Sequence, residues 1–105
     1  MDVGFEIQLQ DEFGGKIDGI IDPTNRLPDL LPLDQECDSY PMLAGIDLYG
    51  DTYFNRLQIP RFLSELAGIV SKARTEEDRT LVSEIERLAR RCAESVHTYV
   101  KFIGD

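Results

Sequence analysis

The 105-residue chain has no tryptophan, one histidine and two cysteines. With His97 as the sole imidazole, few ways remain to assemble a nucleophile-base-acid triad, and no histidine and cysteine cluster has the spacing of a zinc site. Cys37 and Cys92 form no CxxC pair. Both are expected as free thiols, Cys92 acting as a small hydrophobe on the apolar stripe of a helix. No apolar run approaches the ~20 residues of a membrane-spanning helix. The opening MDVGFEIQLQ alternates polar and apolar residues without a basic start, so it does not read as a signal peptide. The expectation is a single cytoplasmic domain over residues 1–105.

Basic residues are scarce in the first part of the chain. Residues 1–60 hold twelve acids against Lys16, Arg26 and Arg56, whereas residues 61–105 balance eight against eight, so the whole net charge of −9 lies in the first 60 residues. Such a field repels nucleic acid and anionic membrane and attracts a basic protein surface. Nucleic-acid recognition needs the opposite balance, a basic face with aromatics. Glycine-rich phosphate loops are missing as well. Gly14-Gly15 lacks the further glycines, the lysine and the helix start of a phosphate or dinucleotide fingerprint.

What is present reads as an α+β fold. Val3, Phe5, Ile7 and Leu9 alternate with polar residues, the period-2 pattern of a strand with one buried face. A turn at 11–15 leads to a shorter strand over 16–22, weakened by Gly19. Pro23, Pro28, Pro32 and Pro41, together with Asp29, Asp34, Glu36 and Asp38, exclude a long helix and predict a Pro- and acid-rich loop at 22–41, with a short turn near PDLL. Leu27, Leu30, Leu31 and Leu33 pin that loop to the body. LAGIDLYGDTYFNRLQ over 43–58 reads as a β-hairpin turning at Gly50-Asp51. Its register buries Ile46, Leu48, Tyr53 and Leu57, with Asn55 among them, and turns Tyr49, Phe54 and Arg56 outward. Pro60 opens an amphipathic helix carrying Phe62, Leu66, Ile69, Val70 and Ala73, and Thr75-Glu76-Glu77-Asp78 resembles the capping box of a second. That second helix puts Leu81, Ile85, Leu88, Ala89, Cys92 and Val96 on one face. HTYVKFI, 97–103, closes as a strand. The predicted order is β-β-loop-β-β-α-α-β: an antiparallel sheet of four or five strands with two consecutive helices on one face, the last strand beside the first or the third.

Two constellations imitate chemistry. Asp47 and Asp51 lie four apart, not two, and a Gly-Asp turn leads into a strand, so the Asp-x-Asp-x-Thr loop of haloacid-dehalogenase-like phosphoryl transfer is not met. Asp34, Glu36 and Asp38 match the first three ligand positions of an EF-hand loop, but Ser39 stands where its glycine is due and Gly45 where its glutamate is due. No metal, cofactor or catalytic residue is assigned. The alternative reading is a small metal-dependent carboxylate enzyme centred on Asp47 and Asp51, and a third is a structural homo-oligomer.

YGDTYFNRLQ at 49–58 and YVKFIGD at 99–105 make the whole chain similar to a family of small bacterial proteins of this size with no established activity. In size, acidity and lack of catalytic groups it also resembles the immunity proteins that neutralise bacterial toxins, several of which set acidic surfaces against basic nucleases. That second resemblance implies a basic toxin or enzyme as partner. The leading expectation is a non-enzymatic acidic binding module, a monomer or small homo-oligomer. Asp29, Asp34, Glu36 and Asp38 would supply its field, and Tyr49, Phe54 and Arg56 would anchor the partner.

Overall fold

The expected alternation at the start of the chain forms β1 (Phe5–Asp11), with Phe5, Ile7 and Leu9 buried. The structure, a computed structural model, describes residues 5–104, so Val3 lies outside the described residues. Asp11 closes the following turn by accepting the Phe13 and Gly15 amides at 2.9 and 2.8 Å, and β2 (Lys16–Asp22) returns antiparallel with a register break at Leu9/Gln10.

The Pro- and acid-rich segment is built, not loose. Asp22 is buried and accepts the Arg26 and Leu27 amides at 2.9 and 2.7 Å, which starts the one-turn helix α1 (Leu27–Leu30) at the expected place. Leu27, Leu30 and Leu31 enter the core, whereas Leu33 stays exposed. A 3₁₀ turn follows at Asp34–Glu36, then a second short helix, α2 (Pro41–Ala44).

Here the expected hairpin does not form. Residues 45–50 form turns and no strand, and only its second half is a strand, β3 (Asp51–Asn55). Two non-local interactions favour this outcome. Pro41 is compatible with a helix start, and the buried Glu65 carboxylate accepts the Met42 and Leu43 amides at 2.9 and 3.0 Å, stabilising helix where strand was predicted. β3 also finds its partner in the C-terminal strand, against which all five of its residues pair. The resulting register inverts the predicted faces: Phe54 opposes Val100 and is buried, while Tyr53 opposes Lys101 and is 51% exposed. Leu57 and Asn55, expected inside, are exposed. Asn55 and Gln58 exchange side chain-to-backbone hydrogen bonds at 2.9 and 3.0 Å and lead into α3 (Ile59–Ile69).

The capping box is present as read: the Thr75 hydroxyl accepts the Asp78 amide, and the Asp78 carboxylate accepts the Thr75 amide, at the head of α4 (Glu76–Glu94). The last strand, β4 (Thr98–Ile103), inserts between β1 and β3, giving an antiparallel sheet in the order β2-β1-β4-β3. The four-stranded α+β class is therefore as expected, with one strand of the predicted order replaced by a helix and a turn. α3 and α4 lie on the face carrying Ile7, Leu9, Phe54, Val100 and Phe102. Phe54, Phe62 and Phe102 meet there with ring centroids 5.0 to 5.8 Å apart. Each such aromatic contact adds on the order of 1 kcal/mol beyond area burial.

Candidate functional site

The acids of the 27–38 segment are held in different ways. Asp29, Asp34 and Asp38 are exposed and enter no ion pair among the described residues. Glu36 is spent on structure: it accepts the Leu33 amide at 2.8 Å and meets Lys72 Nζ at 2.6 Å, and that lysine holds its carboxyl below the usual glutamate range. Lys72 Nζ also donates to the Leu31 carbonyl at 3.1 Å, fastening the segment to the turn after α3. Asp29 faces a shallow groove with Arg26, Lys72 and Arg74, so neighbouring cations offset part of its charge. The carboxylates that project an uncompensated field are thus Asp34 and Asp38, one on each side of Glu36.

The three predicted anchors are not brought together. Phe54 is 4% exposed and stacks on Phe62 and Phe102, so it cannot contact a partner; its place is the core because β4, not residues 43–49, is the pairing strand. Tyr49 is 83% exposed in the turn before β3, where Asp47 Oδ1 accepts its amide at 2.9 Å. Arg56 follows the other end of β3, beside Leu57, Val96 and His97. Tyr49 and Arg56 flank opposite ends of the five-residue β3, whose extended backbone spans about 13 Å.

The carboxylates of the enzyme reading do not converge. The Asp47 amide donates to the Thr52 hydroxyl at 2.9 Å while its side chain caps Tyr49, and Asp51 meets Lys101 Nζ across the strands at 3.4 Å. Among the described residues no group of three or more histidines, cysteines, aspartates or glutamates is arranged to hold a metal ion, and no helix is long and apolar enough to cross a membrane.

No family model, curated protein or solved structure matches the chain. The functional reading therefore rests on geometry.

What the sequence reading missed is how the sheet face opposite the helices is tied together. Glu6, Gln8 and Gln10 form a ladder there, with Gln10 donating to Gln8 at 2.7 Å and Gln8 to Glu6 at 2.6 Å. The Gln8 amide, and after it Lys16, holds the Glu6 carboxyl below its usual range. Lys101 Nζ sits 5.2 Å from the Tyr53 ring centroid; Tyr53 foremost, then Asp51, holds its ammonium above the usual lysine range. The alternation Tyr99, Lys101 against Val100, Phe102 in HTYVKFI carried this signal. The β3 residues of the same face did not, because their register depends on β4.

Proposed function

We propose that the protein is a non-enzymatic binding module of the immunity or inhibitor kind, presenting an acidic surface to a basic toxin or enzyme. One observation carries the reading: Asp34 and Asp38 stand exposed and without an ion-pair partner among the described residues, on a segment tied down by three buried leucines and by Lys72. An ordered charge needs no folding on encounter, so the field acts at its full value as the partner approaches. Asp29 adds to it at the segment's start. Tyr49 and Tyr53, exposed at and before β3, supply amphipathic contact area in place of the buried Phe54.

Replacing Asp29, Asp34 and Asp38 together by lysine reverses the local field. At low salt the association rate with a basic partner should fall about tenfold or more, and the gap should narrow as salt rises. An association rate that is unchanged at low salt overturns the reading.

A further inference from the structure

The outer edge of β2 runs beside a groove between that strand and α4. We propose that this edge and groove receive an extended, lysine- or arginine-bearing segment of a partner protein as a fifth strand; the inference deepens the acidic-module reading and rests on it.

The backbone groups available follow from the ladders. Gly104 N–H donates to the Gly50 carbonyl at 2.8 Å, and alternation across the three registers turns the Ile20 and Asp22 groups toward β1 and those of Gly19 and Ile21 outward. The Gly19 amide is already taken by Asp18 Oδ1 at 2.7 Å. Ile21 N–H, Ile21 C=O and Gly19 C=O remain for an incoming strand. The Ile21 side chain is 62% exposed on this outer strand.

Between β2 and the first half of α4 lies a groove of about 420 Å³, floored by Ile20 and Leu81 and rimmed by Glu76, Glu77 and Glu84. α4 runs alongside β2: Ile20–Pro23 share the groove with Glu76 and Leu81, while Asp18, further back along the strand, meets Arg87 and Arg91 at 2.5 and 2.7 Å. A fifth strand would point alternate side chains over this groove. Glu76 and Glu84 are eight helical residues apart, about 12 Å. Positions i and i+4 of an extended strand are about 13 Å apart. Two basic side chains at that spacing reach both carboxylates and leave the residue between them over Ile20 and Leu81.

Charge decides the occupant. Arg26 is held by Glu77 and Asp78, and Glu84 is held by Arg87, but Glu76 enters no ion pair among the described residues, so the rim is acidic on balance. A second copy pairing edge to edge would bring these carboxylates against their own kind, which is unfavourable. A basic extended segment meets them with opposite charge, and its backbone supplies the hydrogen bonds.

The test uses the full chain, labelled with ¹⁵N, and the blocked heptapeptide acetyl-Thr-Lys-Thr-Val-Thr-Lys-Thr-amide. On saturation, hydrogen exchange at the Ile21 amide should slow at least about tenfold. Ile21→Pro removes that outward N–H without removing a ladder bond, so it should keep the amide spectrum of the folded protein and weaken peptide binding about tenfold. Glu76→Lys with Glu77→Lys should weaken binding similarly, and a peptide with glutamine in place of both lysines should bind no better than the charge-reversed protein binds the original. Unchanged exchange at Ile21, or equal binding by Ile21→Pro, overturns the proposal. Peptide-induced shifts confined to residues 29–38 overturn the groove while leaving the acidic module standing. Ile21 protection that depends on protein concentration without peptide makes the occupant a second copy and also overturns it.

Discussion

Glu65 is the residue on which the local departure from hairpin to helix turns, and its replacement is the sharpest test of that account. Its side chain is 2% exposed, and it accepts the Met42 amide at 2.9 Å, the Leu43 amide at 3.0 Å and Arg61 Nε at 3.0 Å. Glu65→Ala leaves both amides without an acceptor, one buried and one half-buried. At about 1–3 kcal/mol per orphaned buried group, with water reaching the half-buried one, the loss is about 3 kcal/mol. Against a total of about 5–15 kcal/mol for such a domain this is a large fraction, and it corresponds to a fall in melting temperature of about 15 °C. Urea unfolding followed by circular dichroism measures it. Glu65→Gln keeps one acceptor oxygen and should cost about half as much. Arg61 is 55% exposed, so Arg61→Ala should cost at most about 1 kcal/mol. A loss below about 0.5 kcal/mol for Glu65→Ala, or an Arg61→Ala cost equal to it, refutes the idea that Glu65 holds α2 through its amides.

Three further outcomes follow from particular contacts. Arg87 first, then the Gly19 amide and Arg91, hold the Asp18 carboxyl at about 2, below its ordinary 3.8. A depressed folded value means that Asp18 stabilises fully above about pH 4 and that this contribution is lost as pH falls toward 2. Urea midpoints between pH 2 and 5 should therefore fall less steeply in Asp18→Asn than in the parent, and parallel curves would count against it. Phe54→Ala should cost about 3–5 kcal/mol in unfolding experiments, whereas Tyr49→Ala should cost under about 0.5; equal costs would restore the hairpin register. Burial foremost pushes the Cys92 thiol above its ordinary range, and the side chain is 0% exposed, whereas Cys37 is half-buried. A thiol reagent should thus label Cys37 in the folded protein and Cys92 only on unfolding, and rapid native labelling of both would contradict the packing.

Elements whose signals are local were legible. The alternation of Phe5, Ile7 and Leu9, the helical spacing of Phe62, Leu66 and Ile69, and the Thr75/Asp78 box all lie within a few residues of the structure they specify. The stretch at 43–58 was not. Its alternation suits a hairpin, but the deciding groups come from elsewhere: Glu65, twenty-two residues beyond Leu43, for α2, and β4, more than forty residues beyond β3, for its register. Phe54 and Tyr53 exchanged sides for that reason alone, since a one-residue shift in facing inverts every side chain of a strand. Placement at the surface was legible where charge alone suffices, at Asp34 and Asp38. The site was not legible at Glu36, whose partner Lys72 is remote in sequence, nor at the β2 groove, which exists only once α4 is laid beside β2.

The central claim is that the fixed acids of the 27–38 segment recruit a basic protein. Affinity capture from the native cell lysate, run at low and at high salt with the parent and with the Asp29→Lys, Asp34→Lys, Asp38→Lys protein, tests it most directly. The account predicts one basic protein that the parent retains at low salt and releases at high salt, and that the reversed protein does not retain. Equal retention by both proteins, or no basic protein retained by the parent, contradicts it.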